Sequence, residues 1–182
     1  MAKMIGTNEE ESKKQKEYCL KVFEPFKDTM DKYNAQNECK VANSVVGHPN
    51  IIKISEFKDE IVIIDGIKDM RSFAILEYCK NGDLYEYMTS YLGTQSDENF
   101  KGMMAHDKTL LRSLMEQIIN GMSALHKSGY AHLDIKLENV LISNEGILKL
   151  CDFGFSTYTT SLISKVVGTA TYMAPEIHNA RA

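Results

Sequence analysis

The chain has 182 residues, of which 43% are apolar, so it is long enough for one domain with its own core, and its composition argues against disorder throughout. Its formal net charge of −4 and the lack of a dominant basic block argue against a surface built for nucleic acid or anionic lipid. No apolar run approaches the roughly 20 residues that span a bilayer, and the polar start is unlike a secretory leader. We therefore expect an intracellular, by default cytoplasmic protein with no nucleic-acid or membrane partner.

The cysteines and one polar stretch carry no predicted site. Cys19, Cys39, Cys79 and Cys151 are scattered without a C-x-x-C pair, which argues against a zinc site and against a disulfide framework. Buried thiols are predicted instead. The polar stretch over 7–16 is short enough to be a solvated connection between strands.

The first half of the chain predicts a small, mostly antiparallel sheet with one helix. Alternating residues at Glu17–Phe23 indicate a strand in which apolar neighbours flank Lys21. A weakly amphipathic segment from about Lys27 to Val45 indicates a helix, which His48-Pro49 then stops. Three further runs rich in β-branched and aromatic residues predict strands at Ile51–Ile54, Glu60–Ile64 and Ser72–Tyr78.

The second half predicts mainly helices and one hairpin. Leu84–Leu92 is compatible with a short helix, and Lys108–Lys127 with a long one whose apolar stripe ends before Gly129. Val140–Ser143 and Ile147–Cys151 flank a short turn that contains glycine, as expected of a β-hairpin. A sheet-rich half followed by a helix-rich half predicts an α+β fold.

The loop between the long helix and the hairpin carries three polar side chains with different chemistry. Within YAHLDIKLEN, residues 130–139, Asp134 supplies a carboxylate, Lys136 an ammonium and Asn139 an amide. The triplet D-F-G at 152–154 places a second carboxylate where the chain leaves the hairpin. Transfer of a phosphoryl group needs a hydroxyl held in line, metal ions on the phosphates and positive charge at the transferred group. Each residue type suits one of these needs.

The order and spacing of these residues resemble the catalytic loop and D-F-G motif of protein kinases. The nonapeptide GTATYMAPE at 168–176 resembles the end of a kinase activation segment. This nonapeptide and the position of Lys136, two residues after Asp134, both resemble serine/threonine kinases rather than tyrosine kinases. The resemblance implies an incomplete two-lobed α+β fold, in which residues 1–78 form part of the N-lobe. Residues 79–182 are then the hinge, catalytic loop and activation segment of a partial C-lobe.

The resemblance also implies roles at the reaction centre. Asp134 would accept or orient the proton of the substrate hydroxyl, and Lys136 would stabilise the transferred phosphate. Thr169 would form hydrogen bonds near both. Asn139 and Asp152 would hold Mg²⁺, which prefers hard oxygen ligands. ATP and Mg²⁺ are therefore the expected cofactors, and proteins with serine or threonine hydroxyls the expected partners.

Two residues upstream are similar to the ion pair that holds the ATP phosphates in kinases. Lys21, in Tyr18-Cys19-Leu20-Lys21, resembles the strand lysine of the V-A-I-K motif. Glu38 is the candidate partner, because it lies deeper in the following helix than the other acidic residues. An ordinary half-exposed strand lysine remains the alternative for Lys21.

The segment 76–84 resembles the hinge between kinase lobes. On that basis the carbonyl of Glu77 and the amide of Cys79 bind the adenine, and Leu141 forms an apolar floor beneath it. Asp83 has two open interpretations, since it could reach the ribose or act as the N-cap of the helix that begins at Leu84.

The sequence departs from the kinase pattern in two places. Leu133 stands where many kinases have arginine, so a phosphate on Thr159, Thr160, Ser161 or Ser164 would lack its usual charged partner there. No G-x-G-x-x-G occurs, and helices expected after 176 are missing. Two functions stay open: an active serine/threonine kinase, or a catalytically silent kinase-like module that binds nucleotide or a partner.

Overall fold

The computed structural model describes residues 17–26, 29–64, 67–92, 108–161 and 166–179. The polar stretch 7–16 and Ser164 lie outside these residues. The helices are α1 (Thr29–Ser44), α2 (Leu84–Leu92), α3 (Lys108–Lys127) and α4 (Pro175–Asn179). The strands are β1 (Tyr18–Val22), β2 (Ile54–Ile64), β3 (Ile67–Glu77), β4 (Tyr130–Ala131), β5 (Val140–Ile142), β6 (Leu148–Leu150) and β7 (Thr157–Tyr158). The predicted α+β class is confirmed.

The first sheet contains three antiparallel strands in the order β1-β3-β2. The prediction of separate strands at Ile51–Ile54 and Glu60–Ile64 was wrong, because β2 is one continuous strand with a bulge near its start. The charged residues over 55–59 suggested a turn. They belong to a strand of an antiparallel sheet, where one face can remain in contact with solvent. Ile51 forms only an isolated bridge with Leu150.

Helix α1 follows β1 and turns its apolar side to the protein interior. Val41 and Ala42 are buried there, together with Glu38. The helix ends within one residue of the prediction, whereas its predicted start at Lys27 lies outside the described residues. Gly47, with φ of 83°, then reverses the chain in a left-handed conformation that glycine adopts without steric cost.

One buried cluster joins the sheet and α1 to the second half of the chain. Its most deeply buried large side chains are Phe153, Ile52, Ile54, Leu125, Leu148, Leu150, Val41 and Val140. Glycine at position 121 lets α3 approach the backbone, since a Cβ there would lie 2.7 Å from the carbonyl oxygen of Asn50. The core therefore continues across both halves of the molecule.

Two short strand pairs frame the loop that carries the predicted chemistry. The predicted hairpin is present as β5 and β6, with Gly146 at a positive φ in its turn. The pairing of β4 with β7 was not predicted, because strands of two residues leave no periodic signal. Among the described residues, no helix is long and apolar enough to cross a membrane.

The four thiols lie within or beside the core and form no disulfides. Cys39 and Cys151 are buried, and Cys19 and Cys79 are half-buried. Burial raises the pKa of Cys39 and of Cys79 to about 11, so both remain protonated at neutral pH. Their chemistry is that of small apolar side chains.

Candidate active site

The loop between β4 and β5 arranges its polar side chains around Asp134. Oδ1 of Asp134 accepts hydrogen bonds of 2.8 Å from both the backbone N–H and the hydroxyl of Thr169. Oδ2 lies 3.2 Å from Nζ of Lys136 and 3.0 Å from Nδ2 of Asn139. Lys136 also donates a 3.0 Å hydrogen bond to the Thr169 hydroxyl. Three residues, two from the loop and one from the later segment 166–179, thus meet at the Asp134 carboxylate.

The protonation state of Asp134 follows from these contacts. Its side chain is only 4% exposed, and burial opposes ionisation. The hydrogen bonds from Thr169 and Lys136 outweigh that burial, and the pKa of Asp134 is lowered below its usual value. Asp134 is therefore a carboxylate at neutral pH, able to accept a proton or a hydrogen bond.

A second cluster of charged side chains joins β1, α1 and Asp152, which lies two residues after β6. Nζ of Lys21 donates hydrogen bonds of 2.9 and 2.8 Å to the two carboxylate oxygens of Glu38. It also lies 3.2 Å from Oδ1 of Asp152. Burial lowers the pKa of Lys21, but Glu38 and Asp152 reverse this effect and raise it, so the lysine stays charged. Burial raises the pKa of Glu38 despite the attraction of Lys21.

Asn139 and Asp152 each carry a side-chain oxygen of the kind that a hard cation prefers. Both hydrogen bonds of Asn139 to Asp134 use Nδ2, which leaves the amide oxygen as the atom that could meet a metal. The side chain of Asp152 is 49% exposed. Within the described ranges, no three His, Cys, Asp or Glu side chains are grouped as a metal site. A cation held here would therefore rely on the Asn139 amide, the Asp152 carboxylate, phosphate oxygens and water, as Mg²⁺ commonly does.

Two residues of this site have left-handed backbones. Leu133 has φ of 67° and Asp152 has φ of 61°, which is uncommon for residues other than glycine, asparagine and aspartate. Such conformations cost on the order of 1–3 kcal/mol each and persist only where the surroundings fix them. At Asp152 the conformation sets the direction in which the carboxylate leaves the backbone.

A largely apolar cavity of about 250 Å³ lies between β1, the segment 77–83 and β5. It is lined by Tyr18, Cys19, Leu76, Glu77, Tyr78, Cys79, Gly82, Asp83, Glu86 and Leu141. Asp83 and Leu141 face one another in an isolated bridge. Four predicted nucleotide-binding residues thus line one cavity: Glu77, Cys79, Asp83 and Leu141.

The structure also resolves the local role of Asp83. Its Oδ1 accepts a 2.8 Å hydrogen bond from the backbone N–H of Glu86, so Asp83 is the N-cap of α2. A ribose contact remains a prediction. Glu77 also has a second role, because its Oε1 accepts from the backbone N–H of Lys53 at 2.7 Å and pairs with Lys149 at 3.0 Å.

Sequence reasoning gave no role to His132, Phe153 or Gly168. Nε2 of His132 lies 3.0 Å from the Cys151 carbonyl oxygen, and its Nδ1 accepts from the backbone N–H of Asp134. Burial lowers the pKa of His132, so it holds the loop as a neutral ring. The Phe153 ring packs against it with centroids 5.2 Å apart. The H-x-D spacing was the one available signal for His132.

Gly168 brings the segment before α4 against the catalytic loop. A Cβ at this position would lie 2.5 Å from the carbonyl oxygen of Leu133, and φ is 100°. Only glycine permits this approach. It sets Thr169 within hydrogen-bond distance of Asp134.

The two groups of polar side chains lie between a small sheet and a mainly helical half, and known proteins are similar to this chain in sequence. The protein kinase domain family matches residues 7–182. Cytokinesis protein sepH of Aspergillus niger is 37% identical over 131 residues, which cover 71% of this chain and 8% of that protein. NUAK family SNF1-like kinase 1 of Mus musculus is 30% identical over 161 residues, covering 86% of the chain and 21% of that protein.

A third relative is named as a serine/threonine kinase. The probable serine/threonine-protein kinase FMP48 of Saccharomyces cerevisiae is 30% identical over 151 residues, covering 81% of the chain and 38% of that protein. The chain thus spans less than two fifths of each of these relatives. It belongs to the protein kinase family, and its structure is a partial protein-kinase fold.

Proposed function

We propose that the protein is an ATP-dependent serine/threonine kinase that transfers the γ-phosphate of ATP to protein hydroxyls. The observation that carries this proposal is the convergence of Lys136, Thr169 and Asn139 on the ionised carboxylate of Asp134. The three-membered charged group of Lys21, Glu38 and Asp152 supports it. The names of the kinase relatives favour serine and threonine as acceptors.

The nucleotide lies between the two halves of the molecule in this proposal. The backbone of Glu77 and Cys79 binds the adenine, Leu141 packs beneath it, and Asp83 adds a ribose contact to its capping role. Lys21, positioned by Glu38, binds the phosphates at the other end. Asn139 and Asp152 hold Mg²⁺, which when bound neutralises negative charge on the phosphates.

Asp134 and Lys136 carry the transfer itself. Asp134 orients the substrate hydroxyl in line and accepts its proton, and its lowered pKa keeps it ionised for this purpose. Lys136 offsets the negative charge that develops on the transferred group. Thr169 fixes both side chains by donating to Asp134 and accepting from Lys136. The protein acts on soluble intracellular protein substrates, most simply in the cytoplasm.

A second function is a catalytically silent module that binds nucleotide or a protein partner. The covered carboxylate of Asp134 favours it, because both oxygens already accept hydrogen bonds and the side chain is only 4% exposed. A substrate hydroxyl must displace one of these donors. The two functions differ in a single measurable property, which is phosphate transfer by a protein that binds Mg·ATP.

The substitution Asp134→Ala tests the proposed kinase. We expect phosphate transfer to a serine-containing protein to fall about 10²- to 10⁴-fold, the usual contribution of a positioned acid or base. Mg·ATP affinity should stay close to that of the wild type, whereas the melting temperature should fall, because the donors that reach the Asp134 carboxylate lose their acceptor. Glu138→Ala, at an exposed position of the same loop, is the matched control and should retain most of the transfer rate. Equal turnover in Asp134→Ala and wild type would refute the proposed role, and binding without transfer in both would favour the silent module.

A further inference from the structure

One face of α1 makes three polar contacts with the other half of the molecule. Nδ2 of Asn37 donates a 2.9 Å hydrogen bond to the carbonyl oxygen of Ser156. Nζ of Lys40 lies 3.1 Å from the hydroxyl oxygen of Tyr158. Ser44 and Ser128 share a 3.2 Å hydrogen bond between their hydroxyls. We name Asn37, Lys40 and Ser44 the α1 seam.

The spacing of the α1 seam follows from helix geometry. Positions 37, 40 and 44 are separated by three and four residues, so they fall on one face over two turns. Glu38 lies one residue from the first of them, on the adjoining buried face. A helix advances about 100° per residue, so a rotation of α1 by one position would break the seam and turn Glu38 away from Lys21 together. The α1 seam and the Lys21–Glu38 pair therefore both require the same orientation of α1.

Tyr158, the partner of Lys40, makes several contacts with Tyr130. Tyr158 pairs with Tyr130 across β7 and β4, and their rings stack with centroids 4.6 Å apart. The Tyr130 hydroxyl donates a 3.1 Å hydrogen bond to the Tyr158 hydroxyl, and the Tyr130 side chain is buried in the core. Tyr130 lies two residues before His132, at the start of the catalytic loop. Lys40 therefore connects α1 to β7, which pairs with the strand that precedes that loop.

The charge of Lys40 matters in this contact. The Tyr158 oxygen accepts from both Tyr130 and the Lys40 ammonium, and these hydrogen bonds lower the pKa of Tyr158. The ammonium also lies 5.5 Å from the centre of the Tyr158 ring. Leu133 offers no cation at the loop itself. Lys40 of α1 instead places an ammonium group beside the segment 156–158, where it contacts the unmodified hydroxyl of Tyr158.

We propose that Lys40 and Tyr158 are positioning residues that hold α1 in the orientation in which Glu38 engages Lys21. This inference rests on the proposed function, since the orientation matters most for phosphate transfer. In this proposal, the contact between the Lys40 ammonium and the Tyr158 hydroxyl joins the two halves of the site. The contact acts through Glu38 and touches neither nucleotide nor substrate.

Amide hydrogen exchange in the intact protein tests the position of α1 without requiring catalysis. Lys40→Met and Tyr158→Phe should each make the amides of residues 37–44 exchange about two- to fivefold faster, the effect expected for one hydrogen bond. Tyr158→Phe keeps the ring that stacks on Tyr130. Lys40→Arg retains a donor and should restore slow exchange. Lys32→Met is the matched control, because Lys32 lies on the same helix but pairs with Asp59 of the sheet at 2.6 Å.

A double-mutant cycle separates positioning from general stability. Lys40→Met should lower kcat in the wild type but have little further effect in Glu38→Gln, because the two residues act through one orientation. Losses that multiply independently would overturn the proposal, as would exchange in α1 that does not respond to Lys40. A wild type that binds Mg·ATP without transferring phosphate would instead refute the proposed function, while exchange would still decide the role of Lys40.

Discussion

Asp134 and Glu38 are both buried carboxylates, yet their surroundings shift their pKa values in opposite directions. Asp134 accepts several hydrogen bonds, which lower its pKa in spite of burial. Burial is the largest effect on Glu38 and raises its pKa, with Asp152 adding repulsion and Lys21 opposing both. On acidification Glu38 therefore takes up a proton before Asp134 does. The ion pair, not the reaction centre, is the acid-sensitive part of the site.

We expect the affinity for Mg·ATP to begin to fall on acidification at a pH above the ordinary glutamate pKa of about 4.3. Protonation of Glu38 removes the partner that orients Lys21 toward the phosphates. Nucleotide affinity measured from neutral to mildly acidic pH checks this, with Glu38→Gln as the comparison. The variant should bind more weakly at neutral pH and lose less on acidification. Parallel curves for both proteins would count against it, since protonation of the nucleotide itself is common to the two.

At the scale of elements, α3 is placed by a glycine and not by its apolar stripe alone. Gly121 is buried where the helix crosses the Asn50 backbone, and a Cβ would also lie 3.0 Å from Cδ1 of Leu150. Asn50 in turn donates from its side chain to the Leu148 carbonyl oxygen at 2.9 Å. The crossing thus fixes the hairpin β5–β6, from which Asp152 emerges.

Gly121→Ala should lower the melting temperature although alanine is the better helix former. Overpacking against a backbone carbonyl costs about 1–3 kcal/mol, which exceeds the gain in helix propensity of at most about 1 kcal/mol. Thermal unfolding followed by circular dichroism measures the difference. Asn120→Ala, at the exposed neighbouring position, gains propensity without the clash and should melt slightly higher. A stabilised Gly121→Ala would show that α3 can move away from Asn50.

At the scale of the whole molecule, the site exists only where the two halves meet. Lys21 and Glu38 come from the sheet-bearing half, whereas Asp152 and the catalytic loop come from the other. Between them, Asn81 donates a 2.6 Å hydrogen bond to the Ser143 carbonyl oxygen, and Glu77 pairs with Lys149. These contacts tie the connecting segment 77–83 to the hairpin, so a ligand between the halves should stabilise both together.

Mg·ATP is therefore expected to raise the melting temperature of the protein. A ligand present at one hundred times its dissociation constant stabilises the folded state by about 2.7 kcal/mol. Chelation of Mg²⁺ should remove most of this increase, and Lys21→Met should reduce it. Lys68→Met, at an exposed position of β3, is the control and should respond like the wild type. An equal increase in Lys21→Met would place the nucleotide elsewhere.

The sequence by itself determined the family and most of the longer elements. Helices α1, α2 and α3 and the hairpin were predicted from periodicity and turn residues, because these signals are local. The motifs around Asp134 and Asp152 were recognised because their spacing along the chain is short. The failure at β2 has the same origin, since the charged residues over 55–59 resemble a turn unless the paired strand is known.

Only the tertiary structure decided which distant groups meet. Lys21 and Asp152 are 131 residues apart in sequence and 3.2 Å apart in space. The left-handed backbones of Leu133 and Asp152, and the contact of Lys40 with Tyr158, likewise have no local signature. Such conformations are imposed by packing from outside the segment, so no window of sequence contains their cause. The sequence shows which residue types are present, whereas their arrangement in space depends on the core that joins the two halves of the chain.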